Sequence, residues 1–138
     1  MPFARISLLQ GKSPAWLRAV SDAVQQALEQ SFEVPAGDRF QVIEQLAPGS
    51  LVFDRDYLGG PRSDDFVLIA LTAGRPRSTE TKQAFFGSLV HLLEASPGIR
   101  PADVMVVITT TEPDSWSFGF GRATMIVPPD AAHGGTPQ

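Results

Sequence analysis

The stretch Phe66-Val67-Leu68-Ile69-Ala70-Leu71-Thr72-Ala73-Gly74-Arg75-Pro76-Arg77-Ser78 decides the fold. Its first seven residues are apolar or β-branched and predict a buried strand over Phe66–Thr72. Gly74 and Pro76 break that strand. Ser78 then supplies a helix N-cap, and Phe85, Leu89, Leu92 and Leu93 follow at a spacing that fits one helical face. Pro101-Ala102-Asp103 leads into a second strand, Val104–Thr111. The segment therefore reads as strand, helix, strand.

The same pattern occurs 65 residues earlier, where Ser13 stands in the place of Ser78. Residues 2–9 alternate as a strand, and Ser13-Pro14 reads as an N-cap with proline at the first helical position. The helix runs to about Phe32, with Leu17, Val20, Val24, Ala27 and Leu28 as its apolar face. Val34-Pro35-Ala36-Gly37 ends it, and Asp38–Ile43 opens the next strand. We read the fold class as α/β, in the form of an α+β sandwich. Tandem duplicated β-α-β units, about 2–46 and 65–111, form a four-stranded mixed sheet with two helices on one face. Between them, Pro48-Gly49 and Gly59-Gly60-Pro61 punctuate a loop-rich link with a short strand at Leu51–Phe53. After the second unit, Trp116 to Arg122 leads to a short strand at Ala123–Val127. The single domain is expected over 1–127, followed by a Pro/Gly-rich flexible tail, 128–138. Two helices on one face leave the other face bare, which predicts self-association.

Composition narrows the function. The chain has 138 residues, net charge −4 and no basic run, which argues against nucleic acid as a partner. It has no cysteine, so no thiol nucleophile and no thiolate metal site are available. His91 and His133 are isolated, and neither a metal nor a cofactor is expected. No apolar run is long enough to span a membrane. No signal peptide is legible at the start, and a cytoplasmic location is expected.

Chemistry concentrates at two places. Removal of Met1 would turn Pro2 into a free secondary amine, able to hold a proton near neutral pH or to form an iminium ion with a carbonyl. Arg75 and Arg77 flank Pro76 just before the Ser78 cap. A cation there faces the positive end of the helix dipole, and an anion would relieve it. The pair therefore suggests a small carboxylate-bearing substrate, with both side chains expected on the surface and dispensable for folding. Antiparallel alignment of the two first strands would bring Pro2 and Arg75 to one edge. Asp38, just ahead of the second strand, stands as a third member or as a turn residue.

Pro2, Asp38-Arg39-Phe40, Gly74-Arg75-Pro76-Arg77-Ser78 and Asp114-Ser115-Trp116-Ser117-Phe118-Gly119 together resemble the tautomerase superfamily, and within it the malonate semialdehyde decarboxylase family. The resemblance extends through about Val127. It implies Pro2, Asp38, Arg75 and Arg77 as catalytic residues, Trp116 and Phe118 as a substrate-binding apolar wall, and a homotrimer. It also implies loss of CO₂ from a 3-oxo acid, with Pro2 as acid or iminium-forming amine. Tautomerisation of a 2-hydroxydienoate or phenylpyruvate-type enol is the alternative. Hydration or dehalogenation of a haloacrylate, with Glu112 or Asp114 activating water, is a third.

Overall fold

A computed structural model of the chain describes residues 1–126. Strands β1 (Pro2–Leu9), β2 (Gln41–Leu46), β3 (Val67–Ala73) and β4 (Val104–Thr110) form one sheet, and helices α1 (Pro14–Ser31) and α2 (Thr79–Ala95) connect them. The sheet order is β2-β1-β3-β4. Strands β1 and β2 are parallel, as are β3 and β4. The halves meet through antiparallel β1 and β3, with Pro2 opposite Ala73 and Leu8 opposite Val67.

Local chemistry sets the helix starts. Ser13 Oγ accepts from the Trp16 N–H and Ser78 Oγ from the Thr81 N–H, each at 3.1 Å. Each bond satisfies a donor that the first helical turn leaves unpaired. Val20, Val24 and Leu28 of α1 join Phe85, Leu89 and Leu93 of α2 in one buried cluster. Ala4, Ile6 and Leu8 of β1 and Val67, Ile69 and Leu71 of β3 complete it. Each large side chain so buried contributes about 1.5–3 kcal/mol. No helix among the described residues is long and apolar enough to cross a membrane.

The register places Phe3, Arg5 and Ser7 on the other face, beside Val42 and Glu44 of β2, Ala70 and Leu68 of β3, and Val107 and Met105 of β4. Among the described residues no helix covers this side. Val42, Val107 and Met105 are 40–48% exposed there, while Arg5 and Ser7 bond the Glu44 carboxylate at 3.1 and 2.9 Å.

Three sequence expectations are corrected. Leu51–Phe53 is not a strand: Phe53 stacks on Phe66 with centroids 4.2 Å apart, and Arg55 lies over the Phe53 ring while bonding Asp64. Gly60, at φ +91°, lets the link fold back on itself, since a Cβ there would lie 2.1 Å from the Arg55 carbonyl oxygen. Ala123–Ile126 forms a turn closed by the Ile126 N–H on the Ala123 carbonyl, not a strand. Val127 and the expected tail, 128–138, lie outside the described residues. Finally, β2 begins at Gln41 rather than Asp38, because Asp38 N–H bonds the Pro35 carbonyl and Arg39 N–H the Gly37 carbonyl in a turn.

Asp103, which lies 65 residues after Asp38, is fully buried. It accepts from the backbone N–H and the hydroxyl of Ser63, both at 2.6 Å, and so fastens the link to the start of β4.

Candidate active site

One end of the sheet gathers the start of β1, the ends of β3 and β4, the end of α1 and the turn before β2. The Met1 ammonium lies 3.2 Å from Asp38 Oδ2, and the Gly74 N–H donates to the Met1 carbonyl at 3.0 Å. The chain start thus lies beside Asp38, with the Met1 amine in ion-pair reach. The Asp38 side chain is 11% exposed, and Oδ2 has no hydrogen-bond partner apart from that ion pair.

Gln25 holds this turn from below. It is buried on α1, and its Nε2 donates both to the Asp38 carbonyl at 3.1 Å and to Glu29 Oε2 at 2.9 Å. Two acceptors on one nitrogen fix the amide's orientation. Sequence reading passed over Gln25, although a polar residue between Val24 and Ala27 on the apolar face was the available signal.

Trp116 and Phe118 stack at 5.7 Å with their planes 13° apart, and Phe118 meets Phe40 at 5.3 Å. Trp116 Nε1 donates to Thr111 Oγ1 at 2.6 Å, and that hydroxyl donates to the Ala73 carbonyl at 2.9 Å. A Cβ on Gly74 would lie 3.2 Å from Met1 Cβ and 3.5 Å from Trp116 Nε1. The indole thus borders the chain start, with glycine as the residue that admits it. Thr111 and Gly74 are parts of this wall that no sequence pattern marked as such.

The two arginines separate in role. Arg75 is half-exposed and its Nη2 lies 3.0 Å from Glu33 Oε1. Arg77 overturns the surface expectation, since its side chain is 1% exposed. Its Nε and Nη2 donate to the Phe32 carbonyl at 3.2 and 3.0 Å, its Nη1 donates to the Arg75 carbonyl at 2.9 Å, and its guanidinium lies 4.5 Å over the Phe32 ring. The cation has turned from the positive end of α2 to the negative end of α1, where unpaired carbonyls favour it. Burial lowers its pKa, the neighbouring Arg75 charge lowers it further, and Glu33 opposes both.

His91, Glu112 and Asp114 are exposed, and His133 lies outside the described residues. Among the described residues, no three His, Cys, Asp or Glu side chains come together as metal ligands. A cleft of about 550 Å³ lined by Phe53, Tyr57, Leu58, Leu68 and Met105 lies at the opposite end of the sheet, away from Pro2.

A family model described as "Tautomerase enzyme" matches residues 38–119. The "Probable tautomerase YusQ" of Bacillus subtilis (strain 168) is 36% identical over 126 residues, covering 91% of this chain and 99% of that protein. A crystal structure of malonate semialdehyde decarboxylase, from a study of its decarboxylase and hydratase activities, superposes with a TM-score of 0.85 at 37% identity, covering 90% of this chain and 95% of that one. A fused 4-OT described as a symmetric trimer shares the fold, with a TM-score of 0.73 at 22% identity and coverage of 89% and 96%. The chain therefore belongs to the tautomerase superfamily.

Proposed function

We propose that the chain, once processed to begin at Pro2, decarboxylates malonate semialdehyde or a similar small 3-oxo acid. The observation that carries this reading is the Asp38 carboxylate beside the chain start, 3.2 Å from the ammonium of Met1, the residue that processing removes to expose Pro2, next to the aromatic wall of Trp116 and Phe118. In the processed chain this carboxylate would serve as the counterion of a Pro2 ammonium. As an ammonium, Pro2 donates to the carbonyl oxygen of the substrate. The bond between the carboxylate carbon and C2 breaks, its electron pair becomes the enolate, and CO₂ leaves. The enolate oxygen takes the Pro2 proton to give the enol; C2 then gains a proton from water as the enol O–H returns its proton to Pro2, which gives acetaldehyde. In the iminium route the same pair enters an enamine, and hydrolysis returns the free amine.

Arg75 is positioned to grip the carboxylate. Trp116 and Phe118 offer an apolar surface to the leaving CO₂. Arg77 acts from beneath, by holding the Arg75 backbone. The name of the curated relative favours a second reading, tautomerisation of a 2-hydroxydienoate or phenylpyruvate-type enol with neutral Pro2 as base. The test is a panel of malonate semialdehyde, phenylpyruvate, 2-hydroxymuconate and the two chloroacrylates with processed protein. CO₂ release from the first, falling as pH rises through the Pro2 titration, supports the decarboxylase. Enol–keto conversion faster than decarboxylation replaces it with the tautomerase.

Asp38→Asn removes the counterion of the ammonium, so Pro2 should lose its proton at lower pH. The expected result is a downward shift of the alkaline limb of the rate profile and at least a tenfold lower rate at neutral pH, in line with loss of a charge-assisted contact of about 1.5–3 kcal/mol. Titration of the Pro2 nitrogen by NMR in both forms reads the shift directly, and an unmoved titration excludes the proposed pairing.

The uncovered sheet face supports a homotrimer, the state described for the fused 4-OT that shares the fold. Val42, Val107 and Met105, continued by the cleft under Phe53 and Tyr57, would then lie between copies. Sedimentation equilibrium should give three times the 14.9 kDa chain mass. A monomer at micromolar concentration would remove the proposed cover.

A further inference from the structure

Glu33 follows the C-cap of α1, where the chain turns into the left-handed region at φ +59°. Glycine is the usual occupant of such a position, because a Cβ crowds the backbone there. A glutamate in its place stores strain, and strain of this kind persists where the surroundings hold it. The Val34 N–H on the Leu28 carbonyl at 3.3 Å closes this turn, and the Glu33 side chain adds two charged contacts. Glu33 Oε1 lies 3.0 Å from Arg75 Nη2 and 3.8 Å from Arg77 Nε. One carboxylate oxygen thus serves both guanidinium groups at the end of the sheet where Pro2 begins β1.

We propose that Glu33 is an internal competitor for the substrate carboxylate, and that it sets the affinity and selectivity of the site by occupying Arg75 until a carboxylate displaces it. This rests on the reading of Arg75 as the carboxylate grip. Arg77 spends its donors on three bonds to the Phe32 and Arg75 carbonyls, none of them to Glu33, which holds it inward and leaves Arg75 as the exposed guanidinium. Arg75 and Glu33 are both about half-exposed and free to separate. Displacing an ion pair of that exposure has a small but measurable cost. The arrangement selects ligands whose carboxylate outbids a tethered one over anions that are weakly held.

The test uses malonate as a non-reacting dicarboxylate, with binding measured by titration calorimetry on the processed protein. Glu33→Gln and Glu33→Gly should each bind malonate about two- to fivefold more tightly, the range expected when an exposed ion pair no longer competes. KM for malonate semialdehyde should fall in the same direction. The gain should vanish in Arg75→Ala/Glu33→Gln compared with Arg75→Ala. Glu33→Gly, which also relieves the backbone, should melt no lower than wild type and guards against misfolding as an explanation. Weaker or unchanged malonate binding in both single variants overturns the proposal, as does a gain that persists without Arg75 or malonate binding to neither form. Should the wild type fail to decarboxylate malonate semialdehyde while the Arg75-dependent gain in malonate binding appears, the reaction assignment falls and the competitor stands.

Discussion

Placing an uncleavable tag ahead of Pro2 is expected to lower decarboxylation by about 10²- to 10⁴-fold, the range that a positioned proton donor supplies. The fold should survive, because β1 keeps its pairing with β3 through backbone groups that a tag does not touch. What the tag removes is the amine: an acylated Pro2 nitrogen can neither carry a proton nor form an iminium. Pro2→Ala is a subtler case, since a primary amine remains. It should also lose most turnover, because proline's ring fixes the directions of the N–H bonds and lone pair about the N–Cα bond, whereas an alanine amine rotates about it. Intact mass establishes which N-terminus each preparation carries, and steady-state rates on the same samples give the comparison. Normal turnover by a tagged chain with an intact tag would exclude the terminal amine from the chemistry.

The second large effect is on folding. Arg77→Ala should destabilise the protein by at least about 2 kcal/mol, because it strips charged donors from the Phe32 and Arg75 carbonyls in a buried position. The Phe32 carbonyl would then lack both of its donors from Arg77 at the end of α1. Urea unfolding at fixed protein concentration should show a lower midpoint with an unchanged slope. Arg77→Lys should fall between, as an ammonium keeps the charge but lacks the planar fork that reaches both carbonyls. An Arg77→Ala midpoint equal to wild type would return this residue to the surface role expected from sequence.

Why that expectation failed is instructive about what sequence conveys. The strands, helices and duplication were legible because apolar spacing and the Ser13 and Ser78 caps are local signals. The edge shared by Pro2 and Arg75 followed from one topological choice, antiparallel pairing of the first strands, which the register bears out. The direction of a long side chain is not local. Arg77 had two helix ends within reach, and only the packing of Phe32 beneath it decides for α1. Leu51–Phe53 failed for the same reason, since Phe53 finds Phe66 rather than a strand partner. Gln25 and Thr111 act through single hydrogen bonds to backbone carbonyls, and those carbonyls are anonymous in a sequence.

Asp38 and Asp103 occupy equivalent places in the two halves, yet one faces a chain terminus and the other the interior residue Ser63. A duplicated unit has two such corners, but a single polypeptide has only one beginning. Joining the halves acylates the nitrogen that the second corner would need, and the link that does so supplies Ser63 as the partner of the orphaned carboxylate. The second corner therefore has no terminal amine, and its carboxylate anchors the link instead. On the proposed chemistry of Pro2, connectivity by itself makes the two halves unequal.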